Sequence, residues 1–317
     1  MSDRIKKELS QLCQKVGTRV PLWTQGAGGN ISIKDQASLW IKATGYRLDS
    51  VTPTSGIAQV NFRKMAQVLE EARWSEETAE QNYADLIKET TAQGAGLGRA
   101  SMETGFHARL NSPYVMHFHS LVSLLLSHEF KKDKTKVSSW LKSQTDLSWV
   151  MIEPCRPGWV LSKRVSGSSS IYFLECHGII LQGENGDILS KWAEIEKSFC
   201  RDFNYHELGE ILNSNVEFRE MFKEYGLKAI PKRCFFPDIA VFEERLNRCL
   251  KKESSGLAFF PIETIETDRD MAELWLATQL LYKFCPQFEE FPFEIARDLK
   301  NLPTEKLRRQ KELSYGS

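Results

Sequence analysis

An excess of charge of either sign is missing from this 317-residue chain: 42 lysines and arginines stand against 42 aspartates and glutamates. A zero balance gives no support to a general role on nucleic acid or at a membrane surface, which leaves a basic excess. It does not exclude a local cationic pocket for a small anion. Cys-x-x-Cys pairs are also missing. The seven cysteines, Cys13, Cys155, Cys176, Cys200, Cys234, Cys249 and Cys285, are odd in number and scattered. Reduced thiols in a cytoplasmic protein account for that pattern better than a disulfide framework. No segment reaches the roughly 20 apolar residues of a membrane helix. The N-terminus MSDRIKKELSQLCQKVG lacks an apolar core of signal-peptide length. There is no internal repeat and no low-complexity tract. What remains is a globular composition, 41% hydrophobic and 26% charged, in a length that suits one large domain or two ordinary ones.

Hydrophobic periodicity orders the chain. Ile5, Leu9, Leu12 and Val16 recur at helical spacing and Gly17 follows as a stop. NISIK and SLWIKA read as a hairpin around the polar DQA. The stretch 63–91 reads as helical with a break at 74–78. After the glycine-rich QGAGLGRAS, Ser101 is expected to cap a helix running to about Leu110. YVMHF is a strand, LVSLLLSHEF a helix and LSWVMIEP a strand. Pro157-Gly158 opens a helix, IYFLE and GIILQ are strands, and 188–203 is a helix with Trp192, Ile195, Phe199 and Phe203 on one face. Alternating strands and helices predict one α/β layered domain over 1–205, and the early hairpin predicts a mixed sheet. Residues 206–317 read as a smaller α/β extension of unknown role. In it DIAVF and GLAFFPI are expected strands, Thr267 caps a long helix, and LPTEKLRRQKELSYGS is a charged helix and tail.

Three of the six histidines fall in SMETGFHARLNSPYVMHFHS. Alternate strand residues share a face, so His117 and His119 can reach one ion. His177, in LECHGIIL between two strands, can complete a three-imidazole site for zinc or a similar divalent ion, with a position open for substrate. An H-x-H pair also arises by chance, and a lone His177 reads equally as a buried hydrogen-bonding residue. Glu103 alone would be a residue of a helix's first turn, favoured there by the dipole. His107, four residues on, can lie over it and reads as a supporting residue rather than a ligand. GAGGN matches neither a Walker loop nor the dinucleotide fingerprint. As a turn with exposed N–H groups it can still hold an anion, and Thr44-Gly45 and Ser101 offer further donors of the same kind.

Taken in order, GGNISIK, IKATG, SMETGFH, VMHFHS and LECHGIILQGE resemble the class II aldolase/adducin family over about residues 5–204. RASMETGFHARL, VMHFHS and the later FFPDIAVF resemble the branch that includes the aldolase part of bifunctional rhamnulose-phosphate aldolase/dehydrogenases. The resemblance implies a three-layer αβα domain with a mixed central sheet. It implies Zn²⁺, or another divalent metal, on His117, His119 and His177, with Glu103 as the acid/base. It implies a substrate phosphate held at Gly29, Asn30, Thr44, Gly45 and Ser101. The expected function is that of a metal-dependent lyase that cleaves a ketose phosphate, or a related hydroxy-carbonyl compound, through a stabilised enediolate. An epimerase, dehydratase or decarboxylase on the same site is the alternative, and an adducin-like, non-catalytic binding protein is the alternative from another class. A scaffold, however, has no need to keep the four site residues together. The implied partners are a small sugar phosphate and further copies of the chain, without nucleic acid or membrane. Two positions depart from the pattern. Met102 stands where a second serine is expected. The segment KKDKTKVSSWLKSQTD has no tyrosine, whereas fuculose-phosphate aldolases take a proton donor from a tyrosine downstream of the histidine pair on a neighbouring subunit.

Overall fold

The computed structural model describes residues 2–214, 216–299 and 301–305. Helix α1 (Ser2–Gly17) leads to the hairpin β1 (Asn30–Lys34) and β2 (Leu39–Lys42), then to β3 (Ile57–Val60). Helices α2 (Phe62–Glu71) and α3 (Glu76–Thr90) follow, broken where expected. Next come α4 (Thr104–Arg109), β4 (Tyr114–Phe118), α5 (Leu121–Lys132), α6 (Lys134–Gln144), β5 (Trp149–Ile152), α7 (Trp159–Arg164), β6 (Ile171–Leu174), β7 (Gly178–Gly183) and α8 (Ile188–Asp202). The seven strands form one sheet in the order β3-β2-β1-β4-β7-β6-β5. Among the described pairings of this sheet only β5–β6 is parallel, so the sheet is mixed, as the hairpin implied.

The strands are apolar on both faces because helices cover both. In β4, Met116 and Phe118 enter the core shared with α1, α5 and α8, while Val115 packs on the opposite side with Phe106, Leu161 and Val165. In β2, Trp40 joins the first core, and Leu39 and Ile41 pack with Met65 and Leu69 of α2. This period-2 division fixes which face each site residue occupies.

Beyond α8 the chain is mostly helical rather than α/β: α9 (His206–Asn213), α10 (Phe218–Met221) running into a π turn (Phe222–Gly226), α11 (Pro237–Val241), α12 (Glu243–Cys249), α13 (Arg269–Phe284) and α14 (Phe293–Leu299). The strand expected at DIAVF is a helix. Pro237 occupies its first turn, and Ile239, Phe242 and Leu246 are buried at helical spacing. Of GLAFFPI only Ala258–Phe259 (β9) pairs, with Lys251–Lys252 (β8), and Phe260 then packs on Phe222. Asp268, not Thr267, caps α13: its carboxylate accepts from the Met271 amide, while the Thr267 hydroxyl donates to the Thr264 carbonyl. The expected charged tail lies for the most part outside the described residues. Trp275, Phe235 and Phe288 of this helical extension share one buried cluster with Leu9 and Phe118. No described helix is long and apolar enough to cross a membrane.

Candidate metal centre and anion pocket

Strand alternation sends His117 to the face opposite Met116 and Phe118, edge-on to Phe106 at 5.8 Å. His119 keeps the same parity just past the strand end, where Ser120 caps α5 by accepting from the Ser123 amide. His177 lies in the β6–β7 turn. Cys176 (φ 55°) and Gly178 (φ 149°) bend that turn, and a Cβ on Gly178 would lie 2.4 Å from the Phe118 carbonyl oxygen. The missing side chain lets the turn close on the end of β4. The three imidazoles therefore converge, with ring centroids 4.9–5.3 Å apart. All three are buried, and their ligand nitrogens lie within 4.8 Å of one another.

His117 Nδ1 donates to the Ile179 carbonyl at 2.9 Å, which leaves the Nε2 lone pair bare. That Nε2 and Glu103 Oε1 are buried and make no hydrogen bond; His119 Nδ1 makes none either, but it faces the Asp238 carboxylate at 3.2 Å. Each buried orphan costs about 1–3 kcal/mol, and the His117 and Glu103 atoms, side by side, fit a cation that this chain would hold on His117, His119 and His177. Burial also lowers the His117 pKa, against the pull of Glu103, and so favours the neutral imidazole that a metal requires.

Glu103 is the N-cap residue of α4 rather than a member of its first turn. The helix starts three residues after Ser101, whose hydroxyl accepts from the Glu103 amide at 3.2 Å. Glu103 Oε1 lies 3.5 Å from His117 Nε2 and 3.4 Å from His177 Nε2. Its other oxygen accepts from Asn30 Nδ2 at 2.7 Å. The Asn30 oxygen meets His107 Nε2, and His107 Nδ1 meets the Ser32 hydroxyl at 2.7 Å. Because the Asn30 amide N–H serves Glu103, its oxygen must accept. His107 is then protonated on Nε2 and accepts from Ser32 on Nδ1. Burial, with His117 and Lys34 adding, pushes the His107 pKa well down and keeps that ring neutral. Register builds this chain of bonds: Asn30 pairs His117 and Ser32 pairs Val115 across β1–β4, so both point toward α4. His107 is thus linked to Glu103 through Asn30, with no direct hydrogen bond between the two among the described residues.

A pocket opens beside the histidines, lined by Gly29, Asn30, Thr44, Ser101, Glu103, His119 and His177. Gly45, which follows Thr44, takes the positive φ (77°) of its turn. Three cationic residues in the wall, Lys42, Lys88 and Arg99, escape the sequence reading. Lys42 is buried and donates to the carbonyls of Ala27 (3.0 Å) and Tyr46 (2.8 Å), which ties the two turns together. A lysine inside IKATG is the available signal. Asp238, Thr304 and Glu305 of the extension line the same pocket, and Thr304 Oγ1 lies 3.8 Å from the Met102 sulfur.

The family described as "Class II Aldolase and Adducin N-terminal domain" matches residues 7–201. The chain belongs to the class II aldolase and adducin family. Similar solved structures include the N-terminal class II aldolase domain of a conserved Thermoplasma acidophilum protein, at 19% identity and TM-score 0.49, covering 62% of this chain and 92% of that one. The L-fuculose-1-phosphate aldolase of Thermus thermophilus is 16% identical, with TM-score 0.43 and coverage of 66% and 98%. An aldolase II superfamily protein from Pseudomonas syringae is 12% identical, with TM-score 0.42 and coverage of 100% and 96%. No curated protein matches the chain. The class II aldolase and adducin match ends at residue 201, so Asp238, Thr304 and Glu305 reach the pocket from beyond the matched region.

Proposed function

We propose that the chain is a metal-dependent lyase of the class II aldolase type acting on a ketose phosphate or a closely related hydroxy-carbonyl anion. The observation that carries the reading is the pairing of three converging buried imidazoles with a carboxylate oxygen 3.4–3.5 Å from two of them, beside a pocket whose wall includes Lys42, Lys88 and Arg99. A divalent ion, Zn²⁺ or a similar metal, on His117, His119 and His177 would supply Lewis-acid stabilisation of the charge that develops beside a carbonyl. Glu103 moves the proton through Oε1. Asn30 pins Oε2, so the free oxygen keeps one orientation. The turn donors at Gly29, Thr44, Gly45 and Ser101, together with Lys42, Lys88 and Arg99, bind the phosphate. The same groups would serve an epimerase, dehydratase or decarboxylase. The missing tyrosine in residues 131–146 leaves the aldolase proton donor unassigned and favours keeping that second reading.

Residues 206–317 act, in this proposal, as an extension that closes the pocket, and the working form is a homo-oligomer. Sedimentation that gives a monomer at all concentrations would reject the oligomer. The decisive experiment is metal analysis of the purified protein followed by a ketose-phosphate screen for aldehyde release. Stoichiometric metal with aldehyde release supports the lyase. Isomerised, dehydrated or decarboxylated product without aldehyde selects the second reading. Absence of both metal and turnover leaves an adducin-like binding role.

A further inference from the structure

The helical extension delivers a carboxylate to the histidine cluster. Asp238 Oδ2 lies 3.2 Å from His119 Nδ1, and both side chains are buried. Phe235 and Phe236 are fully buried just before it, Phe235 edge-on to Phe288 at 5.5 Å. Arg233 clamps the same stretch of chain by donating to the carbonyls of Pro286 and Phe288. These anchors fix where α11 begins. Pro237 then starts the helix, and Asp238 projects in its first turn. On the other side the approach depends on Gly28: a Cβ there would lie 2.8 Å from Asp238 Oδ2 and 3.0 Å from His119 Cε1. A side chain at Gly28 would fill the space in which the carboxylate and the ring meet.

We propose that Asp238 is the positioning carboxylate of His119, so that the metal centre is completed by the C-terminal extension of the same chain. This rests on the three-histidine metal reading above. The group of nitrogens close enough to share an ion comprises His117, His119 and His177, and Asp238 is outside it. That favours Asp238 as the partner of His119 rather than as a further ligand. A carboxylate that accepts the Nδ1–H of a ligating imidazole fixes its tautomer, orients the ring and raises the basicity of Nε2. The backbone carbonyl of Ile179 does the same for His117. The two histidines of one strand are therefore held by different devices. One belongs to the sheet, and the other is imported from beyond the matched domain.

The test is metal affinity in the full-length protein, read separately from turnover. Wild type, Asp238→Asn and Asp238→Ala are stripped of metal, and Zn²⁺ binding is measured by competition with a chromophoric chelator. The visible spectrum of the Co²⁺ forms is recorded alongside. Both variants should bind Zn²⁺ about 10–100-fold more weakly and show an altered Co²⁺ spectrum, in preparations that circular dichroism shows to be folded before metal is added. His177→Ala sets the scale for loss of a ligand. Wild-type affinity and an unchanged Co²⁺ spectrum in both folded Asp238 variants, with loss in His177→Ala, would overturn this inference and leave the metal reading standing. A wild type that takes up no stoichiometric ion removes both.

Discussion

Glu196 offers a quantitative test of the floor on which the histidine strand rests. It is fully buried on α8, where Oε2 accepts from the Trp23 indole at 2.6 Å and Oε1 accepts from the Ser120 hydroxyl at 2.6 Å. Burial is the largest influence on its carboxyl and outweighs both hydrogen bonds, raising the pKa from 4.5 to about 7. Because the folded value is the higher one, the folded state binds the proton more tightly. The resulting stability is fully present below pH 4.5 and is lost as pH rises through about 7. A rise of that size corresponds to about 3 kcal/mol. Glu196→Gln is neutral at every pH. Its carbonyl can still accept from Trp23, and its amide can donate to Ser120. Metal-free wild type and variant should be unfolded in urea at pH 5 and pH 8, with tryptophan emission as the readout. The wild type should lose about 2–3 kcal/mol more than the variant between the two pH values, most but not all of the shift's worth. Glu196→Ala, which leaves two buried donors unsatisfied, should cost several kcal/mol at both, by about 1–3 kcal/mol per donor. Identical pH dependence in wild type and Glu196→Gln would refute the assignment of a proton to this carboxyl.

The other expectations are shorter. Glu103→Gln should lose most turnover and retain metal, whereas His177→Ala should lose both; near-normal activity in Glu103→Gln would remove the acid/base role, and elemental analysis of the variant separates that role from ligation. Thr44→Ala or Ser101→Ala should weaken inorganic phosphate or substrate binding by about 10–100-fold, the worth of one hydrogen bond to a charged group, with metal content unchanged in calorimetry and metal analysis. Gly178→Ala would set a Cβ 2.4 Å from the Phe118 carbonyl oxygen, so the β6–β7 turn must move. A fall in stability of about 1–3 kcal/mol and weaker Zn²⁺ binding should follow, and unchanged chelator competition would show that the turn does not position His177.

What the sequence discloses follows from how far each signal reaches along the chain. YVMHFH exposes its own geometry because a period of two puts His117 and His119 on one face whatever surrounds them. β3 escapes the sequence reading because Ile57–Val60 is four residues long, is pressed between a turn and the Asn61 cap, and has no apolar–polar alternation. DIAVF misleads because a short apolar run does not separate strand from helix. The deciding positions, Phe242 and Leu246, lie after it. Lys42 has the look of a solvent-facing strand lysine, and only the approach of the Ala27 and Tyr46 carbonyls makes it a buried tie between two turns. Asn30 is expected to face the anion, yet its amide is occupied on both sides by Glu103 and His107 because register sets it opposite His117. Its place in the pocket wall and its grip on the carboxylate are compatible. On the proposed reading, a residue that holds Glu103 in one orientation beside the anion pocket would link phosphate binding to proton transfer through a single side chain. Asp238 shows the limit of local reading most clearly. Nothing within FFPD marks a metal-site residue, and the contact with His119 arises only when the extension packs over the finished domain. His117 and His119 are legible from strand period as a pair on one face, but the groups that meet their rings are set by tertiary packing and become visible only with the fold.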